Sequence, residues 1–233
     1  MADRILQFYQ NLDASRISLP PGIQVINPYQ ESSLAMAVAG HFYRKYYNDE
    51  KRRFLILGIN PGRFGAAVTG VPFTDPKRLE SVLRIPFSGK ITHEPSSVFI
   101  YEMIAAYGGA EQFYSRFYIN SIFPLALTTT SDKGGEKNFN YYDKPDLLRL
   151  LQGAIIDNIN QQRDMGIHRD ICFCFGTGKN ETVLRRLNRE HGFFKKIIAL
   201  EHPRFIVQYK TRQKQDYIAK YLAAFNEAEA FLK

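Results

Sequence analysis

Length, composition and charge set the first limits on this chain. Its 233 residues include 31 Lys and Arg against 23 Asp and Glu, which gives a net charge of +8 and a pI near 9.4. This balance favours a polyanionic partner without proving one. The length suits a single domain, residues 1–233. No apolar run can span a bilayer, and the N-terminus is typical of an amphipathic helix rather than a secretory signal, so we expect no membrane partner.

Helical patterns and short apolar runs alternate along the chain. In chain order they predict a helix at Ser33–Tyr47, a strand at Phe54–Ile59, a helix at Ser97–Tyr107 capped by Ser96 or Ser97, a strand at Phe117–Ile122, a helix at Pro145–Arg163, a strand at Ile171–Phe175, a helix at Gly178–His191 ending at Gly192, a strand at Ile197–Leu200 and a helix at Thr211–Leu232. The alternation predicts an α/β protein whose mostly parallel sheet lies between helical layers.

Polar or glycine residues follow every predicted strand. The four sites are Asn60, Asn120, Gly176-Thr-Gly178 and Glu201-His-Pro203. Because the carboxyl ends of parallel strands meet at one edge of a sheet, we expect the four loops to converge on one cleft.

The loop after the first strand, residues 58–73, is rich in Gly and Pro. It offers the neutral amide of Asn60, backbone that a ligand can approach at Gly62 and Gly65, and the aromatic faces of Phe64 and Phe73. These groups suit a ligand with a flat polar ring better than they suit a phosphate.

Several common chemistries do not fit the motifs. The run Gly176-Thr-Gly-Lys-Asn180 fails the P-loop pattern, so only Lys179 remains as a contact for one backbone phosphate. No serine occupies a nucleophile elbow, and Cys172 and Cys174 lie inside a strand, as small buried hydrophobes of a reduced compartment do. The histidines show no metal spacing. We therefore expect no covalent nucleophile, no metal and no cofactor.

The segment Arg204–Lys214 combines basic and aromatic residues without an acidic one. Alone, it is compatible with a solvated helix face as well as with nucleic-acid binding. The candidate DNA contacts are Lys179, Arg204, Phe205, Lys210, Arg212 and Lys214.

Four segments, in order and spacing, resemble the uracil-DNA glycosylase superfamily, and most of all its single-strand-selective monofunctional (SMUG) subfamily. They are Gly58-Ile-Asn-Pro-Gly-Arg-Phe-Gly65 continuing to Phe73, Ile119-Asn-Ser-Ile-Phe-Pro124, Gly176-Thr-Gly-Lys179 and Leu200-Glu-His-Pro203. The first is long and specific, and the resemblance covers roughly residues 50–215. It implies a three-layer α/β/α sandwich with a central four-stranded parallel sheet, and excision of uracil and related damaged bases from DNA without a cofactor.

The resemblance also implies a role for each residue at the cleft. Asn60 and His202 would be catalytic: Asn60 would position the attacking water, and His202 would donate a hydrogen bond to the developing charge at uracil O2. Phe73 would stack on the base and Asn120 would present its amide to the Watson–Crick edge. Gly62 would let backbone approach the base.

Two departures from the family pattern bear on specificity. The second motif runs His202-Pro-Arg-Phe-Ile-Val-Gln-Tyr209 without the usual Ser-Pro pair, which leaves Arg204, Phe205 or Ile206 as the residue that wedges into the DNA. Ala66 stands where SMUG proteins usually carry Met. The smaller side chain predicts tolerance of bases larger than uracil, such as 5-hydroxymethyluracil or xanthine.

The expected activity is that of a monofunctional DNA glycosylase that leaves an abasic site, because no Lys is placed as a Schiff-base nucleophile. The expected partner is single- or double-stranded DNA containing a damaged base, bound by a monomer in the bacterial cytoplasm beside the nucleoid or in a eukaryotic nucleus. Two alternatives stay open at this point: a non-catalytic nucleic-acid-binding α/β domain, and a nucleosidase acting on small molecules.

Overall fold

The computed structural model describes residues 1–15, 17–131 and 134–231, which form both helices and strands. The elements are α1 (Ala2–Gln10), β1 (Ile23–Ile26), α2 (Pro28–Glu31), α3 (Ser33–Tyr47), β2 (Arg53–Gly58), α4 (Ala66–Thr69), α5 (Pro76–Ser81), α6 (Pro95–Tyr107), α7 (Ala110–Tyr114), β3 (Phe117–Ser121), β4 (Ala126–Thr130), β5 (Glu136–Phe139), α8 (Pro145–Arg163), β6 (Ile167–Phe175), α9 (Lys179–His191), β7 (Lys196–Leu200), α10 (Pro203–Tyr209), a 3₁₀ turn (Thr211–Gln213) and α11 (Lys214–Phe231).

The central sheet has four parallel strands in the order β3-β2-β6-β7. Leu57 of β2 lies between Asn120 of β3 and Cys174 of β6, so the strand ends are level at the carboxyl edge. Helices flank the sheet, which confirms the predicted α/β/α architecture. The third predicted strand is longer than expected. It begins at Ile167, because its partly exposed polar start does not show in an apolar pattern.

A second sheet of three antiparallel strands, in the order β1-β4-β5, is absent from the prediction. Its outer strand β5 is polar and largely exposed, so it carries neither the continuous apolar run of a buried strand nor clear alternation. The sheet matters for the site because the chain leaves β5 at Phe139 beside the loop that follows β2.

Helix boundaries differ from the prediction at three places. Glu94, rather than Ser96 or Ser97, caps α6. Residues 203–209 form a helix, α10, that His202 caps. The predicted final helix divides into the 3₁₀ turn and α11, and its last residue, Leu232, lies outside the described residues. The end of α9 at Gly192, whose φ of 63° is left-handed, agrees with the prediction.

One continuous core lies on both faces of the central sheet. Cys172 and Cys174 are free thiols buried within it, as expected of small hydrophobes in a strand. In the described part of the chain, no helix is both long and apolar enough to cross a membrane.

Candidate active site

A cavity of about 280 Å³ opens at the carboxyl edge of the central sheet. The loop after β2, the starts of α6 and α10, and the ends of β3 and β5 all contribute to its wall. Its polar and aromatic lining includes Asn60, Phe73, Glu94, Ser121, Asn138 and His202. The strand ends of β2, β3 and β7 meet at this space, which brings Asn60, Gly62, Ala66, Phe73, His202 and Arg204 together. The loop Gly176-Thr-Gly178 after β6, predicted to join them, supplies no residue to the cavity wall.

The amide of Asn60 is held by backbone on the far side of the cavity. Its Nδ2 donates to the carbonyl of Phe139 at 3.0 Å, and its Oδ1 accepts from the backbone N–H of Tyr141 at 3.2 Å. These two bonds fix which end of the amide is donor and which is acceptor. Each end keeps capacity for one more hydrogen bond, so the amide can orient a water molecule.

Phe73 adopts a left-handed backbone conformation, with a φ of 54°. Such a conformation costs a non-glycine residue on the order of 1–3 kcal/mol, and it persists only where the surroundings enforce it. Here Thr69 Oγ1 donates to the carbonyl of Thr74 at 2.8 Å, and Thr74 Oγ1 lies 2.8 Å from the hydroxyl of Tyr101. The hydrogen bonds of these two buried threonines hold the turn that carries Phe73 in this conformation.

The ring of Phe73 packs where a side chain on Gly58 would otherwise stand. A Cβ added to Gly58 would lie 2.9 Å from Phe73 Cζ, closer than real Cβ contacts allow. The ring centroid lies 5.7 Å from that of His202 and 5.9 Å from that of Phe175. The aromatic face is thus positioned in the cavity before any ligand enters.

His202 is half-buried at the N-terminus of α10, and the helix determines its tautomer. Its Nδ1 accepts the backbone N–H of Arg204 at 3.2 Å, so in the neutral ring Nε2 carries the proton. Burial, reinforced by the guanidinium of Arg204, lowers the pKa of His202 from 6.5 to about 4. At neutral pH the residue is therefore an uncharged hydrogen-bond donor.

Asn120 does not lie on the cavity wall, contrary to the predicted role for it. Side chains alternate along β3, and Asn120 points to the same side as Tyr118, whose hydroxyl accepts from its Nδ2 at 2.8 Å. Its Oδ1 accepts from the backbone N–H of Ser121 at 2.8 Å. The amide is buried and forms one hydrogen bond within β3 at each end, while the neighbouring Ser121 lines the cavity.

Sequence reasoning missed three further polar residues of the cavity: Glu94, Asn138 and Asn140. Glu94 is a single acidic residue before a proline, and the two asparagines belong to or follow the unpredicted strand β5, so no motif marked them. Gly62, predicted to make room for a base, also makes room for Glu94. A Cβ at Gly62 would lie 2.5 Å from Glu94 Oε2. Ala66 is buried at the cavity wall, as predicted.

Five of the six predicted DNA contacts follow one another on α10, the turn after it and the start of α11, whereas Lys179 begins α9. Lys179, Arg204 and Arg212 are exposed and Lys210 is partly exposed. Phe205 is 40% exposed, and its ring centroid lies 5.6 Å from that of the more exposed Tyr209, with the two rings tilted by 46°. Lys214 differs, because its Nζ pairs with the carboxylate of Glu102 at 2.6 Å. That ion pair makes Lys214 a weaker phosphate ligand than its neighbours.

Titratable side chains do not cluster as metal ligands in the ranges 1–15, 17–131 and 134–231. No group of three His, Cys, Asp or Glu residues in these ranges is arranged to hold a metal ion.

Comparisons with known proteins agree with this geometry. The sequence model of the Uracil DNA glycosylase superfamily matches residues 44–226. The crystal structure of wild-type Pedobacter heparinus SMUG2 is similar over 98% of each chain, with a TM-score of 0.96 and 55% sequence identity. A comparison with curated protein sequences gives no match.

The chain therefore belongs to the uracil-DNA glycosylase superfamily. Within it the protein is SMUG-like, a DNA N-glycosylase of base excision repair whose substrate is DNA. This class excludes the non-catalytic binding domain and the small-molecule nucleosidase that the sequence had left open.

Replacing Asn120 and Ser121 with alanine, one at a time, should distinguish their roles. We expect Asn120→Ala to lower the free energy of unfolding by about 2 kcal/mol, because it leaves buried hydrogen-bonding groups without partners. Ser121→Ala should leave stability nearly unchanged and slow base release. Urea denaturation and single-turnover excision measure the two effects. A stable but inactive Asn120→Ala enzyme would restore the original assignment.

The tautomer and pKa of His202 predict a pH dependence of stability. An unfolded chain takes up a histidine proton near pH 6.5, whereas the folded protein does so only near pH 4. The unfolded state thus binds more protons between these values. The stability linked to His202 is complete above pH 6.5 and falls as the pH drops towards 4.

Nitrogen-15 NMR of the histidine rings measures the tautomer and the pKa of His202, with the urea-unfolded protein as control. We expect the folded His202 ring to remain the Nε2–H tautomer until the pH approaches 4. A ring that becomes cationic near pH 6.5 in the folded protein would contradict the assignment.

Proposed function

We propose that the enzyme excises uracil, and with it related deaminated or oxidised bases such as 5-hydroxymethyluracil and xanthine, by water attack at the N-glycosidic carbon. The product is an abasic site in an uncut strand. The observation that carries the proposal is the convergence of Asn60, Phe73 and a neutral, donor-oriented His202 on one cavity. A flipped base stacked on Phe73 would lie between the other two residues.

His202 supports departure of the base. Cleavage of the glycosidic bond places negative charge on the leaving base, and a fixed N–H donor aimed at its carbonyl stabilises that charge. Because Nδ1 is occupied by the N-terminus of α10, Nε2–H is the donor available to the cavity. With a pKa near 4, the ring is neutral at pH 7 and holds no imidazolium proton to transfer, so its contribution is a hydrogen bond to the developing anion.

Asn60 orients the nucleophile. Its amide is fixed by Phe139 and Tyr141 and retains a donor and an acceptor for a water molecule. Being neutral, the side chain is not a strong base and does not offset positive charge on the sugar. Stabilisation of the leaving base therefore carries more of the catalysis than activation of the water does.

The DNA would lie across α10 and the turn that follows it. Of the three wedge candidates, Ile206 is fully buried, whereas Phe205 is 40% exposed. Phe205, supported by Tyr209, is the residue we assign to the space left by the flipped base, and Arg204 to a backbone phosphate at the cavity mouth. Since one chain supplies all of these groups, we propose that a monomer is the active unit, working where chromosomal DNA is held.

Removing either catalytic side chain should slow excision strongly. We expect Asn60→Ala and His202→Ala each to lose on the order of 10²–10³ in single-turnover rate on a uracil-containing oligonucleotide. Alkali cleavage of the abasic product measures the rate. His41→Ala, which removes an exposed histidine from α3, serves as the control. Near-normal uracil release by the double variant would refute the mechanism.

The basic surface predicts a salt-dependent affinity. Lys210→Ala and Arg212→Ala should each reduce the slope of log Kd against log salt concentration by about one, because each removes one phosphate contact. Lys214→Ala should change the slope less, since Glu102 already neutralises that charge. Fluorescence anisotropy with a labelled oligonucleotide measures the slopes, and equal effects for all three would place the DNA elsewhere.

A further inference from the structure

The carboxylate of Glu94 forms part of the cavity wall next to the loop after β2. The residue is only 9% exposed. Its Oε2 lies 2.5 Å from the position that a Cβ on Gly62 would take, and its Cγ lies 3.0 Å from the equivalent position on Gly65. Both glycines of the motif loop therefore accommodate this side chain. A base that approaches the loop meets a carboxylate there.

The carboxylate has hydrogen-bonding capacity left over. Its Oε1 caps α6 by accepting the backbone N–H of Ser96 at 3.4 Å. Among the residues that the structure describes, it forms no ion pair within 4.0 Å. A nearly buried carboxylate that has one long hydrogen bond and no ion-pair partner strongly favours a ligand that donates a hydrogen bond to it.

Asn138 completes the polar corner around Gly62. Its Oδ1 accepts the backbone N–H of Arg63 at 3.0 Å, which turns its Nδ2 outward as a donor. Nδ2 lies 3.8 Å from the same Cβ position that Glu94 Oε2 approaches. An anionic acceptor and an amide donor thus stand side by side at one point of the wall.

The position of this corner indicates which edge of a base it would face. His202 follows β7, and Gly62 follows β2, with β6 between these two strands in the sheet. If His202 faces O2 of a pyrimidine, as proposed above, the opposite side of the six-membered ring is the one that carries the 5-substituent.

We propose that Glu94, assisted by Asn138, is a specificity-determining residue that reads the substituent at the 5-position of a pyrimidine-2,4-dione. The inference rests on the proposed excision of such bases. The carboxylate only accepts hydrogen bonds, so it favours a hydroxyl that donates. An aldehyde oxygen, which only accepts, is repelled by it, and a bare C–H leaves it unpaired. Asn138 Nδ2 can donate to the carbonyl next to that substituent.

The substitution Glu94→Gln replaces one of the two acceptor oxygens by a hydrogen-bond donor and leaves the shape of the side chain almost unchanged. The glutamine keeps an oxygen for the Ser96 cap and places an amide donor where the second carboxylate oxygen was. Single-turnover rates on otherwise identical oligonucleotides containing uracil, 5-hydroxymethyluracil or 5-formyluracil provide the readout. Ratios between variant and wild type cancel the different intrinsic reactivity of the three bases.

We expect the preference for 5-hydroxymethyluracil over 5-formyluracil to fall at least tenfold in Glu94→Gln. Glu94→Asp, which retains a capping carboxylate but withdraws it from Gly62, should weaken the same preference. Ser32→Ala removes an N-cap remote from the cavity, on α3, and controls for a loss of stability without a change of pocket. Its ratio should equal that of the wild type.

Two results would overturn the inference: unchanged ratios in both Glu94 variants, or a parallel loss on all three bases, which would make Glu94 a positioning residue for the reaction itself. Failure of the underlying proposal is distinguishable from either, because the wild-type enzyme would then release none of the three bases.

Discussion

The site depends on two hydrogen bonds that join the loops of different sheets. Asn60 belongs to the loop after the parallel strand β2, whereas its partner Phe139 ends the antiparallel strand β5 and Tyr141 follows that strand. A third bond, from the backbone N–H of Arg63 to Asn138, joins the same two parts of the chain. The small second sheet therefore holds the loop after β2 in place. It supplies the rigidity that Asn60 needs for its proposed role of orienting a water molecule.

The electrostatics of the cavity divide into two halves. On the side of β7, an uncharged imidazole presents an N–H donor, and its tautomer is set by the first turn of α10. On the side of β2, a carboxylate presents an acceptor, and its position is set by the first turn of α6. Each group is thus oriented by a helix N-terminus, where unpaired backbone N–H groups need acceptors. The orientation comes from backbone geometry, which a bound base cannot readily disturb.

The central sheet and the cavity residues of the Gly58–Phe73 motif could be predicted from sequence because their signals are local and dense. Strands buried on both faces are continuously apolar, and the motif from Gly58 to Phe73 is long. Ser121 rather than Asn120 lies on the cavity wall, because the end of a strand determines which residues are near the cavity, whereas the alternation of side chains determines which of two adjacent residues faces it. Glu94 and β5 could not be predicted, since an isolated acid and an exposed polar strand acquire their roles only from distant contacts.

The left-handed backbone at Phe73 has a consequence for how the enzyme can change. Its conformational cost is met when the chain folds, through Thr69 and Thr74, so that no reorganisation remains when a base arrives. Glycine would adopt the same backbone without that cost, but would remove the ring. Selection for thermal stability alone would therefore favour glycine at position 73, whereas the proposed stacking on a base requires the ring of Phe73 and the conformational cost that comes with it.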